Sequence, residues 1–220
     1  MSDVDRDYML KFIADHLIIN SSELYEIGLY NGKMGIAMFF YHYSRFMNIG
    51  IYNDFADSLL EEVIRNVDSS ISIRFRDGIC GIGWAMQYLI KNNFVQSDGS
   101  NIFSDFDSKV LEYDLNKMND RTLSSGSLGI LCYILSRLLS MKEDKSDNMI
   151  CNGMFENKFN TYNFGNLCVA DYLKLNIESV LNLSIISELW RDVSFDRNVM
   201  NKLPLGIEGG LAGIGLKLVS

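Results

Sequence analysis

Few residues in this 220-residue chain could hold a metal or act as a nucleophile. There are two histidines, His16 and His42, and four cysteines, Cys80, Cys132, Cys151 and Cys168. A catalytic zinc takes three protein ligands and keeps one position open. A site using two imidazoles would need both His16 and His42, which lie far apart in the sequence. The cysteines form no Cys-x-x-Cys pair and no short disulfide framework. Cys80, Cys132 and Cys168 stand in or beside apolar runs, where cysteine behaves as a small buried hydrophobe. Cys151 stands in a polar stretch without metal-ligand spacing. His42 falls in an aromatic cluster with Tyr30, Phe39, Phe40, Tyr41, Tyr43 and Phe46, so it reads as a core or edge histidine. His16 reads as exposed or half-buried. These residues give no metal site. Two carboxylates remain for acid–base work, Asp77 and Glu208. Asp77, like Asn31, has a competing role as a helix N-cap, because both types accept bonds from free first-turn amides.

The elements that must position these residues repeat along the chain. A Gly-x-x-Gly unit followed by an apolar run starts at Gly32, Gly78, Gly126 and Gly210, with a degenerate copy at Gly165-Asn-Leu-Cys168. The five starts are 46, 48, 39 and 45 residues apart. Each apolar run is too long for a typical strand and bulky on all sides, which predicts a buried helix. Glycine at its start permits a tight entry turn and close backbone contact. Amphipathic segments alternate with these runs over Asp5 to Ile19, Asp54 to Val67, Asp105 to Met118 and Glu178 to Val193. The last is expected to present Val180, Ile185, Leu189 and Trp190 on one stripe. The stretch 141–163 is polar and Asn-rich, and predicts a loop-dominated connector. The single proline, Pro204, falls in a connector, in keeping with a mostly helical chain. Buried helices alternating with half-exposed ones make a double layer.

Composition narrows the class. Hydrophobic residues at 48% and charged residues at 22% are those of a packed globular chain. Acidic residues outnumber basic ones 28 to 20, a net charge of −8, which argues against a nucleic-acid partner. No apolar run approaches the roughly 20 residues needed to span a bilayer, and the acidic amino terminus does not read as a signal peptide. Together with the cysteine usage this predicts a cytoplasmic protein with reduced thiols.

The stretches YNGKMGIAMFFY, RDGICGIGWAMQYLIKNNF, SSGSLGILCYILSRL and IEGGLAGIGLKLVS resemble the lanthionine synthetase C-like (LanC-like) family. The second is similar to a form found in members from Bacteroidetes-type bacteria. The resemblance runs from about residue 28 to the end. It implies an α/α toroid, with about five inner helices where family members have seven, and so a shortened ring formed by one domain over 1–220. An open ring would expose the apolar edges of its terminal inner helices, to be covered by a second copy or a partner.

The family's best-known activity is thioether formation in ribosomally made peptides, in which zinc activates a cysteine thiolate for addition to a dehydroamino acid. The family's zinc ligands are two cysteines and a histidine, one or two positions before the first glycine of particular repeats. Those positions here hold Tyr30 and Asn31, Arg76 and Asp77, Ser124 and Ser125, Asn163 and Phe164, and Glu208 and Gly209. None is Cys or His. The resemblance therefore implies a family member of lanthipeptide-type maturation with no cofactor, an accessory that binds a peptide or a maturation enzyme. Residues around the shared mouth of such a toroid would be Tyr30, Asn31, Arg76, Asp77, Ser125 and Glu208, with Trp84 as an aromatic that packs in the core or stacks on peptide. Two enzyme alternatives stand beside it: a cyclase with an atypical metal site, and a hydrolase using Asp77 and Glu208, as related α/α-toroid glycosidases use two acids.

Overall fold

The computed structural model describes residues 3–96, 102–143, 149–161, 180–190 and 196–220. The described residues are helical throughout their regular structure, and no strand occurs among them. No helix among them is long and apolar enough to cross a membrane. The chain divides into two compact units, Met1–Ser70 with Ile186–Ser220, and Ile71–Ile185.

In the first unit α1 (Asp3–Asn20) buries Met9, Leu10, Ile13, Ala14 and Leu17 along one stripe. The helix α2 (Lys33–Met47) follows the first glycine pair and is buried on every side from Lys33 to Tyr41. It ends at Asn48, whose left-handed backbone (φ 55) lets the chain turn into α3 (Ile51–Asn66). The helix α3 buries Ala56, Leu59, Leu60 and Val63 and keeps Glu61 and Arg65 in water. A short α8 (Arg197–Met200) precedes α9 (Leu211–Val219), which is again buried on every side up to Leu216. In the second unit α4 (Ile79–Lys91) and α6 (Ser127–Glu143) are the buried glycine helices, while α5 (Ile102–Leu111) and α7 (Met149–Thr161) are half-exposed. The all-α class and the inner–outer layering therefore hold in both units. The fifth glycine unit, at Gly165, lies outside the described residues.

Each described glycine helix starts in the same way. The first helical N–H donates to the carbonyl seven residues earlier: Lys33 to Glu26 (2.9 Å), Ile79 to Ser72 (2.9 Å), Ser127 to Asp120 (3.0 Å) and Leu211 to Pro204 (2.8 Å). The connector thus folds back over the helix and satisfies an amide that would otherwise be buried without a partner. The N-cap residues Gly32, Gly78 and Gly210 share one extended conformation, with φ between −123 and −114. Glycine is needed there for space. A Cβ on Gly78 would collide with the Ser72 carbonyl that caps the helix. The cap roles expected for Asn31 and Asp77 are corrected: both stand one residue before the glycine N-cap.

Glycine helices also dock in pairs, by the same contacts in both units. The Arg76 N–H donates to the Ser124 carbonyl (2.9 Å), and the Glu208 N–H to the Tyr30 carbonyl (3.1 Å). All four residues stand two positions before their glycine pair. A Cβ on Gly129 would meet Phe75 Cβ at 2.5 Å, and one on Gly35 would meet Ile207 Cγ1 at 2.8 Å. Gly83 lies against the Tyr133 ring as Gly215 lies against Phe39. The last glycine helix, α9, therefore packs on the first, α2, as α4 packs on α6. In the first unit the first and last glycine helices thus cover one edge of each other.

Three elements differ from expectation. The stretch 141–163 is not loop-dominated: α7 forms within it, anchored by the fully buried Phe155. Tertiary docking outweighs its weak pattern. The helix expected over Glu178 to Val193 is replaced, in its described part, by 3-10 turns at Leu183–Ile185 and Ser187–Leu189. There Asn182 accepts the Ser184 amide with its side chain and the Ile185 amide with its carbonyl, in competition with an α-helical ladder. The helix expected to reach Met118 ends at Leu111, and a 3-10 turn at Leu115–Lys117 follows, capped by Asp114.

Replacing Gly78 by alanine should destabilise the protein by about 3 kcal/mol, because the backbone of Ser72 has no room to yield. Gly153→Ala, in α7, meets nothing within 4 Å. It should instead stabilise by about 0.5–1 kcal/mol through helix propensity. Urea denaturation of the two variants beside the parent checks both signs.

Candidate functional site

The residues singled out by sequence stand at the starts of the glycine helices, and each unit positions its own set. In the first unit the Tyr30 side chain is buried, and its carbonyl receives the amides of Ile207 and Glu208. Asn31 and Glu208 meet across the docked helix starts, with Asn31 Nδ2 donating to Glu208 Oε2 at 3.2 Å. Both are half-buried. Behind them Gly209 turns the chain in a left-handed conformation (φ 60) and donates its N–H to the Leu189 carbonyl. Lys33, the first residue of α2, is buried and paired with Glu62 of α3.

In the second unit Asp77 accepts from Ser72 Oγ at 2.8 Å and lies 3.6 Å from Arg74 Nε. Ser125 donates to Asp120 Oδ2 at 2.6 Å. These bonds share one geometry. Ser72 and Asp120 each stand six positions before the glycine pair, and Asp77 and Ser125 one position before it. Hydroxyl and carboxylate have exchanged places between the two repeats. In each, the pair closes the connector whose backbone caps the helix. Asp77 and Ser125 are therefore latches of the connector. Arg76 is half-buried beside them.

Trp84 is corrected as a peptide contact. It is fully buried, stacks on Tyr88 at 5.8 Å, and donates its indole N–H to the Val180 carbonyl at 2.7 Å. Tyr30, at 2% exposure, likewise offers no ring surface to a ligand. Asp77 belongs to the second unit and Glu208 to the first, and each has polar partners within its own unit.

The sequence did not disclose the buried charges. Asp107 of α5 is 2% exposed and accepts from Tyr133 Oη (2.6 Å) and from the Arg137 guanidinium through both oxygens. Phe103 lies under that guanidinium at 4.5 Å. In the first unit Tyr41 of α2 donates to Asp57 of α3 (2.6 Å), which Asn53 also supports. The available signal was Asp107 itself, an acid on the same stripe of α5 as Phe106 and Val110. These are satisfied ties between helix layers, as buried charges require.

The described cysteines and His42 sit in or against the helix core. Cys80 and Cys132 are free and buried. Burial pushes the Cys132 thiol up to about 12. Burial, then the neighbouring Cys132, holds Cys80 well above the ordinary range. Both are protonated thiols at neutral pH and lie inside their helices. Burial and then Arg45 lower His42 to about 4, so its imidazole is neutral. Among the described residues no three His, Cys, Asp or Glu side chains are placed to hold a metal ion. The side chain of Cys151, and all of Cys168, lie outside the described residues. Among the described residues, the side chains just before the glycine pairs are not the cysteines and histidine of the zinc set that the family resemblance implies.

The latch has a pH signature. Ser125 Oγ, then the Thr122 amide, hold the Asp120 carboxyl below its usual range. Its contribution is therefore complete above the ordinary carboxylate pKa of about 3.9 and is lost as pH falls through the lower folded value. Ser125→Ala should raise the Asp120 titration toward the ordinary value, read by carbon NMR of the carboxyl. Because the next repeat carries the pair reversed, the double exchange Ser72→Asp with Asp77→Ser should restore the melting temperature that either single change lowers.

A family model described as lanthionine synthetase C-like protein matches residues 23–154. No curated protein and no solved structure matches the chain. The match covers more than half of the chain and takes in the first three glycine units, whose helices α2, α4 and α6 start and pack alike. The chain belongs to the lanthionine synthetase C-like family.

Proposed function

We propose that the chain is an accessory protein of ribosomal-peptide maturation, which binds a lanthipeptide-type precursor or the enzyme that carries it and does not itself form the thioether. The observation that carries this is the chemistry at the helix starts. The positions that hold zinc ligands in the family are occupied by Asn31, Asp77, Ser125 and Glu208, and these side chains are tied to neighbouring polar groups. The two described cysteines lie inside buried helices as protonated thiols. What remains at the surface of these starts is polar and suited to binding: the half-buried Asn31, Arg76 and Glu208, with Arg74 and Arg121 exposed beside the second set. A guanidinium of this kind takes a peptide carboxylate in a bidentate manner. A single domain over 1–220 and a cytoplasmic setting belong to the same proposal, the latter supported by the free thiols.

The test mixes purified protein with a synthetic peptide that carries one dehydroalanine and one cysteine. Binding is expected by anisotropy, weakened about fivefold to tenfold by one of Arg76→Ala and Glu208→Ala, which test the helix starts of the two units separately, while the peptide thiol stays free by mass spectrometry after alkylation. Stoichiometric zinc in the purified protein together with loss of the peptide thiol would establish a cyclase in place of the accessory.

A further inference from the structure

Buried glycine helices are covered by the half-exposed helices that follow them in the chain: α3 packs on α2, α5 on α4 and α7 on α6. The last glycine helix, α9, is covered differently. The helix that packs on it is α1, from the other end of the sequence. The pairing suits both partners. The helix α9 is buried on every side up to Leu216. The helix α1 buries Met9, Leu10, Ile13, Ala14 and Leu17 along one stripe and keeps Lys11 and Asp15 in water. That is the half-exposed pattern of α3, so α1 stands toward α9 as α3 stands toward α2. The family match begins at residue 23, so α1 lies before the matched region.

The same helix is fastened to both partners of the joint at which α9 docks on α2. On the α9 side, Arg197 of α8 lies over the rings of Tyr8 (5.4 Å) and Phe12 (5.9 Å), and its guanidinium donates to Tyr8 Oη. The short α8 belongs to the stretch of chain that leads to Glu208 and α9. On the α2 side, Arg6 lies over Phe46, in the last turn of α2, at 5.1 Å. Both are cation–ring contacts. The joint itself is backbone and glycine. The amides of Ile207 and Glu208 donate to the Tyr30 carbonyl at 2.6 and 3.1 Å, Gly35 lies against Ile207, and Gly215 lies against Phe39. It brings Glu208 Oε2 to Asn31 Nδ2. If α1 left, the apolar side of α9 that it covers would face water, so opening of the one helix destabilises the other.

We infer that α1 is a clasp: it supplies the outer helix of the last glycine unit, and its opening uncovers α9 and loosens the joint that holds Glu208 against Asn31. The helix start of the first unit is then fully assembled only while α1 is docked. The clasp stands on the packing alone, and its bearing on peptide binding rests on the reading above. Native-state hydrogen exchange of the full chain, followed residue by residue by NMR, tests it. Ile13→Ala removes buried contacts of α1. It should lower the protection of α1, of α9 and of the Ile207 and Glu208 amides together, by at least about tenfold, and leave α3, α4 and α6 within about twofold. Lys11→Ala, on the exposed face, should change none of them. Should Ile13→Ala not fold, Arg197→Ala, at an exposed tie, should lower the same amides together by about threefold. Loss of protection in α1 alone would make it an appended helix, and an equal loss in α3, α4 and α6 would make Ile13 an ordinary core residue. Either result overturns the clasp. In the anisotropy experiment Ile13→Ala should weaken the peptide as much as Glu208→Ala does. Coupled exchange with peptide binding unchanged would sustain the clasp and exclude the first-unit helix start as the site of the peptide.

Discussion

Everything in this protein hangs on how a buried helix is started. A helix exposes four unpaired amides at its first turn, and burying them unpaired costs several kcal/mol. Surface helices solve this with a side-chain cap and water. The glycine helices here solve it with backbone, by folding the preceding connector back until a carbonyl seven residues upstream meets the first amide. The connector then lies so close that the N-cap residue has no room for a Cβ, as the contact of Gly78 with Ser72 demonstrates. The Gly-x-x-Gly unit is thus a packing signature of a backbone cap, and its recurrence is the recurrence of that cap.

The cap has a consequence for chemistry. A free helix N-terminus offers amides to an anion or a developing oxyanion. Here the first amide of each described glycine helix is already engaged by the chain itself, and side chains at the helix starts are engaged as well. Of those, Asp77 and Ser125 hold the connector closed through Ser72 and Asp120, and Asn31 is joined to Glu208. Positions that a metal-dependent relative would use for ligands carry the closure of the scaffold instead. Fold alone does not transmit activity.

Ties between the layers follow a second rule. Tyr41 reaches Asp57 of α3, and Tyr133 reaches Asp107 of α5, so a tyrosine from a buried helix meets an acid from a half-exposed one in each unit. Removing Asp57 or Asp107 would take the carboxylate acceptor from a buried tyrosine hydroxyl. These bonds were hidden from the sequence because an aspartate on an amphipathic helix looks like a solvent-facing residue until the opposing tyrosine is known. The helix α7 was hidden for a related reason. Its interior asparagines and glycine lower its propensity, and its order comes from Phe155 and from the bonds that fasten it to residues 111–116. Conversely, the apolar spacing after Val180 looked helical, yet Asn182 and its neighbours bond locally and leave only 3-10 turns.

By itself the sequence determined the helical class, the alternation of buried and half-exposed helices, the four described helix starts, and the want of cysteine or histidine where the family's zinc chemistry would need them. These are local properties: a glycine forced by its own connector, an apolar run too long and bulky for a strand, a residue type at a fixed distance from a glycine. Only the tertiary structure decided that the last glycine helix docks on the first, that Asp77 and Ser125 bond to Ser72 and Asp120 and do not cap their helices, and that Trp84 is sealed by Val180. Each of these depends on partners brought together from distant parts of the chain, and pairing of that kind leaves no period in the sequence to be read.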